Sequence, residues 1–193
     1  MGDLNTATAT ITIKNGDIVT CTFENTSQTG GVTRTQGFWA THSPLASIAW
    51  SGGSAFGHTF PGVAVVGGIG DQLMCARSLG IKQVMGGFWS DVSKTTTGSK
   101  RSALDQSRMQ LLQQLLAAEL NASAFGTVPV NGTFAAWESA LCNGSSKDIQ
   151  TAMQQAASFN NAGDSSQFTP GTSADSKNAR AIADLPFWDK IVP

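Results

Sequence analysis

The sequence is short of charge. Only 13% of its 193 residues are Asp, Glu, Lys or Arg, about half the usual share, while 40% are hydrophobic. Twelve basic against thirteen acidic residues leave a formal net charge of -1, and no basic stripe could neutralise a row of phosphates. Nucleic acid is therefore not expected as a partner. Histidine is scarcer still. The two present, His42 and His58, stand too far apart for a His-x-x-x-His zinc pattern, and any Ser-His-Asp or Cys-His engine would have to recruit one of them. There is no Gly-x-Ser-x-Gly elbow, no CxxC motif and no cysteine beside a histidine. No apolar run approaches the roughly 20 residues that span a bilayer, so membrane insertion is not expected. Nor does a charged and then apolar leader open the chain, so either an extracellular parent is expected to have lost it or the sequence is an excised piece.

Ser, Thr, Asn, Gln and Gly fill the surface in place of charge, a coat common in proteins that work outside the cell. The length suits one domain, or one domain with a small appendage, and allows a proper core. Cys21, Cys75 and Cys142 permit three single-bridge pairings with one thiol left over. The expected arrangement is a Cys75–Cys142 bridge between helices with Cys21 in a strand. Three free buried cysteines are the alternative.

Residues 7–23 alternate with period two around Asn15-Gly16, which reads as a β-hairpin with a tight turn. Such a hairpin is marginal alone and must pack on something, and its outer edges could pair with another chain or a preceding repeat. Residues 27–34 then read as a Ser/Thr/Gly linker. Behind it, helices are expected over 71–79, ending at Gly80, and over 102–120, opened by a capping box at Ser102 and Asp105. The second carries a broad leucine face and is the expected central helix. Further helices are expected over 134–141, over 147–159 behind Ser145 and Asp148, and over 174–183 behind Ser173, with Pro186 as the stop. The glycine-rich stretches 50–58 and 62–70 read as long loops. The fold class is thus α+β: a hairpin over 1–26, a linker over 27–34 and a mainly helical body over 35–193.

Two boxes resemble known sequences. Gly16-Asp-Ile-Val-Thr-Cys-Thr-Phe-Glu-Asn-Thr26 is similar to the closing strands of prealbumin-like, SpaA-type β-sandwich repeats. Thr35-Gln-Gly-Phe-Trp-Ala-Thr-His42 resembles the Thr-x-Gly-Phe/Tyr-Trp-x-x-His box of an uncharacterised helical module that follows such repeats in bacterial secreted and surface proteins. Leu111-Leu-Gln-Gln-Leu-Leu-Ala-Ala-Glu-Leu-Asn121 and Ser158-Phe-Asn-Asn161 are similar to later segments of that module. Ala40-Thr41 departs from its commoner Lys-Asn. The resemblance implies an extracellular or cell-surface setting but no reaction.

The favoured reading is a structural or adhesive module, joined to other domains or subunits by its N-terminal strands, without catalytic residues or cofactor. Gln36, Phe38, Trp39, His42, Trp50 and Trp89, with Trp137, are its candidate contacts to a glycan or surface protein. Phe38 and Trp39 could equally anchor the first helix while His42 caps a turn. The alternative reading is a hydrolase or metal-dependent binding domain centred on His42 or His58. Asp91, Glu119 and Glu138 supply carboxylates, although nothing in their spacing sets two at the separation glycoside cleavage needs. Asn160, Asn161 and Asp164 offer oxygen ligands for calcium without the EF-hand spacing, against the plainer reading of a helix-ending turn.

Overall fold

The computed structural model describes residues 31–63, 73–164 and 173–192, with 2–3, 8–9, 14 and 28–29. The hairpin expected around Asn15-Gly16, and Cys21 with it, lie outside the described residues. A short antiparallel pair, β1 (Gly2–Asp3) and β2 (Thr8–Ala9), lies within the N-terminal region, in the register Gly2 to Ala9. Strand β3 (Gln28–Thr29) runs parallel to a distant strand at Thr127–Val128. Beyond it the chain is mainly helical, so the class is α+β as expected.

Two short helices, α1 (Gln36–Thr41) and α2 (Ser43–Ser51), meet at His42. A two-stranded antiparallel pair follows, β4 (Gly53–Ala55) and β5 (His58–Phe60), turned by Phe56 and Gly57. The first expected glycine-rich loop is therefore the end of α2 plus this hairpin. Of the second, only residues 62–63 are described.

The helix expected over 71–79 is absent from the described part of that range. Its place is taken by a second tight hairpin, β6 (Leu73–Met74) and β7 (Arg77–Ser78). Gly80 does not end a helix but begins one. Its backbone N–H donates to the Gln83 side chain at 3.1 Å at the start of α3 (Ile81–Trp89). The expected helix is thus a hairpin over its described residues, and the helix over Ile81–Trp89 is one that the spacing did not lead us to expect.

The central helix α4 (Ala103–Phe125) starts as expected, with the Ser102 hydroxyl accepting from Asp105 N at 3.1 Å. It runs further than expected, to Gly126, whose φ of 66° gives the left-handed stop. Met109, Leu111, Leu112, Leu115, Leu116 and Leu120 are fully buried on it, against α1, α2, α3, α5 (Phe134–Asn143) and α6 (Ser146–Ala162). Side chains point from nearly every direction of α4 into the core, which is why it reads as a helix wrapped on all sides. In α3, a Cβ at Gly87 would collide with Leu116 of α4, so this glycine sets how closely the two helices approach. The helix expected over 174–183 is the shorter α7 (Ser176–Ala181), capped by Asp175 and not Ser173. Pro186 does not merely stop a helix; it opens a 3-10 turn over Pro186–Asp189. Arg77 fastens this end: its guanidinium donates to the carbonyls of Phe187 and Lys190 and lies 3.7 Å from the Phe187 ring centroid. Strand β8 (Thr127–Val128) completes the body.

The Cys75–Cys142 bridge is present, with the Cα atoms 5.3 Å apart. It does not join two helices, however. Cys142 lies on α5, but Cys75 sits in the turn between β6 and β7. There Cys75 and Ala76 hold φ of 50° and 61°, a two-residue turn that usually takes Asn-Gly and costs an ordinary residue about 1–2 kcal/mol. Closing a loop of 67 residues constrains the unfolded chain by about 4 kcal/mol. The turn strain offsets part of this. The double substitution Cys75→Ser with Cys142→Ser is therefore expected to cost about 2–3 kcal/mol, and a thermal melt should show the midpoint falling by about 5–10 °C.

Candidate functional site

Three of the four segments that carry the resemblance, 35–42, 111–121 and 158–161, meet in one buried hydrogen-bond network. Its centre is Asn121 on α4, which is 0% exposed. Its Oδ1 accepts from the Arg34 N–H at 2.7 Å and the Trp39 Nε1–H at 2.9 Å, and its Nδ2 donates to the Arg34 carbonyl at 2.8 Å and to Asn160 Oδ1 at 2.9 Å. A buried amide with every donor and acceptor engaged is as favourable as such a group becomes. Asn160 in turn donates to Gln114 O and Oε1, both at 2.9 Å, and Gln114 Nε2 reaches Gln36 Oε1 at 3.2 Å. Thr33 closes the ring by donating to the Asn160 carbonyl at 2.9 Å. Far from spacing two units apart, residues 31–34 of the expected linker are thus clamped between α4 and α6, with Thr33 and Arg34 buried.

This placement decides most of the candidate residues. Trp39, Trp50 and Trp137 are 0–1% exposed, so the surface role expected for them is overturned: their indole N–H groups point inward, to Asn121, to the Leu79 carbonyl and to Gln155. Trp89 is partly buried and donates to the Ala40 carbonyl at 2.9 Å. Phe38 packs at the edge of the core, under the Arg34 guanidinium 5.1 Å away. Gln36 of the box lies on a cavity wall.

His42 joins α1 to α2. Its ring stacks on Phe38 with centroids 3.9 Å apart, and its Nδ1 lies 2.7 Å from the Phe38 carbonyl, a contact that requires a proton on Nδ1. The hydroxyl beside it belongs to Thr41, which bonds back into α1. This is a helix-junction role and not a nucleophile with its base. His58 is exposed on β5, 6.4 Å from the Phe60 ring.

The calcium reading is also overturned at its centre. The Asn160 oxygen is turned inward to Asn121, the Asn161 amide donates to the Ala157 carbonyl at 2.8 Å, and Asp164 faces Arg34 at 3.5 Å. Among the described residues no group of three His, Cys, Asp or Glu side chains is placed to hold a metal.

Two features were not legible in the sequence as sites. The first is a pair of neighbouring grooves on α6. One, of about 360 Å³, is walled by Thr127, Asn131, Gln154, Gln155 and Ser158 over Phe159; the other, of about 330 Å³, by Gln36, Gln110, Gln113, Gln114 and Gln154. Gln154 belongs to both, and neither has an ionisable side chain in its wall. Apolar groups share both walls, Val128, Val130 and Phe159 in the first and Met153 and Ala157 in the second. With uncharged amides and hydroxyls among them, these walls suit an uncharged ligand that has both apolar faces and hydroxyls or amides.

The second is a carboxyl pair. Glu119, only 2% exposed, has neither carboxyl oxygen hydrogen-bonded, and burial holds its carboxyl well above the ordinary carboxylate range, with the charge of Glu138 adding to the effect. Glu138 Oε1 accepts from the Cys75 N–H at 3.0 Å and lines a cleft of about 570 Å³ whose wall also includes both bridged cysteines. Sequence spacing could not bring these two glutamates together because they meet across α4 and α5.

No known protein-family profile matches the chain, and no similar curated protein or solved structure was found.

Proposed function

We propose that this chain is a non-catalytic extracellular module of a bacterial secreted or surface protein, binding a neutral glycan through the paired grooves on α6. The observation that carries the reading is the uncharged wall of both grooves, shared through Gln154. Three further facts support it. Within the aromatic box Trp39 bonds to Asn121 and His42 stacks on Phe38, so these side chains serve to hold the body together. The disulfide suits an oxidising compartment. No helix among the described residues is long and apolar enough to cross a membrane. Joining to other domains through the N-terminal strands is part of the same proposal, resting on the resemblance of residues 16–26.

An array of neutral oligosaccharides, followed by titration calorimetry on the best binder, tests it. Binding should be weakened about tenfold or more by Gln154→Ala, which removes a group from both walls without touching the core, since one well-placed hydrogen bond in a dry groove is worth about 1–2 kcal/mol. An array with no binder, or affinity indifferent to Gln154→Ala, would remove the glycan reading. Turnover of any substrate that is abolished by His42→Ala or His58→Ala would replace it with an enzyme.

A further inference from the structure

The cleft beside the disulfide joins three features that a purely structural bridge does not need. Both cysteines line it, Cys75 buried and Cys142 only half-buried, so the Cys142 side of the bond is the more open one. Cys75 and Ala76 hold the left-handed conformation although neither is glycine or asparagine. A carboxylate, Glu138, accepts the Cys75 N–H and so fixes the turn in the geometry that the bridge requires. Glu138 and Cys142 lie four residues apart on α5, on one face of that helix, so turn, bridge and carboxylate form one unit.

We propose that Cys75–Cys142 is a thiol-exchange site, opened by an external dithiol while the body stays folded. The thiolate of the dithiol attacks Cys142 Sγ, a mixed disulfide forms, and Cys75 leaves as a thiolate that takes a proton from solvent. The second thiol of the reductant then attacks its own sulfur in the mixed disulfide, closing the reductant's ring and releasing Cys142, which is protonated in turn. Two electrons and two protons pass from the dithiol to the protein. Opening the bridge frees Cys75 and Ala76 from the left-handed turn, and this relief draws the equilibrium toward the reduced form. The bond lies at the margin of the core, with Cys75 in it and Cys142 packed against it, while the leucines of α4 are fully buried among the neighbouring helices and keep their packing.

The test is a titration of the native protein with mixtures of reduced and oxidised dithiothreitol, quenched by alkylation and read by intact mass, with circular dichroism followed in parallel. Two additional cysteines should become alkylated while the helical signal is kept. Ala76→Gly, which relieves the turn in the bridged state, should move the midpoint about fivefold or more toward the bridged form. Glu138→Gln keeps an acceptor for the Cys75 N–H but removes the charge that repels an incoming thiolate, and should speed reduction several-fold. Reduction that occurs only with loss of helical signal overturns the proposal. So does a midpoint unmoved by Ala76→Gly, or a rate unmoved by Glu138→Gln.

Discussion

Replacing Asn121 by alanine is expected to cost about 4–5 kcal/mol and to lower the thermal midpoint by about 10–15 °C. The reason lies in what the truncation strands. The Arg34 N–H and Trp39 Nε1–H would lose their acceptor, and the Arg34 carbonyl and Asn160 Oδ1 would lose their donor. All four stand where water does not reach, and each orphaned group costs about 1–3 kcal/mol before the chain relaxes. The entropy of a freed side chain does not offset this, because its neighbours remain packed. Asn121→Asp keeps the acceptor, loses both donations and buries a charge, so it should be no milder. Asn143→Ala, at the exposed end of α5, serves as the control and should stay within about 0.5 kcal/mol of the parent. Thermal melts of the four proteins decide the matter. A shift under about 2 °C for Asn121→Ala would mean that the network is not what clamps residues 31–34 to the helices.

The second large effect concerns pH. Glu119 lies on the α4 face that carries Leu112, Leu116 and Ser123, where its carboxyl is buried without a partner. Of the helices around it, α2 contributes no ionisable side chain, α3 only the exposed Lys82, and α5 the carboxylate of Glu138, which opposes a second negative charge. Among the described residues no cation is found to offset it. The folded state therefore holds the Glu119 proton more tightly than the unfolded chain does. Below the unfolded value, about pH 4.3, both states are protonated and the contribution is complete. As pH rises past that value the unfolded chain releases its proton while the folded one keeps it, and stability falls by up to about 1.4 kcal/mol per pH unit until the folded carboxyl also ionises. Glu119→Gln has the same shape and nothing to titrate. Urea unfolding of parent and variant from pH 4.5 to 8 should show their difference widening steadily in favour of the variant. Parallel curves would show that Glu119 has found a partner for its charge.

How much of this was readable in advance depends on how far apart the interacting residues lie. The start of α4 at Ser102, the box of Ser145 with Asp148 at the start of α6, and the start of α5 at Phe134 were expected and are present. Each is set by contacts of three or four residues, which a periodic pattern displays openly. Residues 73–81 failed for the same reason turned round. The local spacing there favours a helix, whereas the bridge from Cys75 to α5 enforces a hairpin that no neighbouring residue announces. The cysteine pair expected from compartment alone is present, but it joins a turn to α5 and not two helices.

The sequence by itself determined the helical period, the caps, the leucine core of α4 and the sparse charge of the surface, because hydrophobic spacing and short-range hydrogen bonds act within a few residues. Only the tertiary structure decided that the aromatic box faces inward. The Trp39 to Asn121 bond spans 82 positions and the Asn121 to Asn160 bond 39, and no local preference distinguishes an amide bound for the core from one bound for water. The neutral grooves on α6 and the unpartnered carboxyl of Glu119 have the same origin: each is a property of surfaces brought together by packing, which exists only once the chain has closed upon itself.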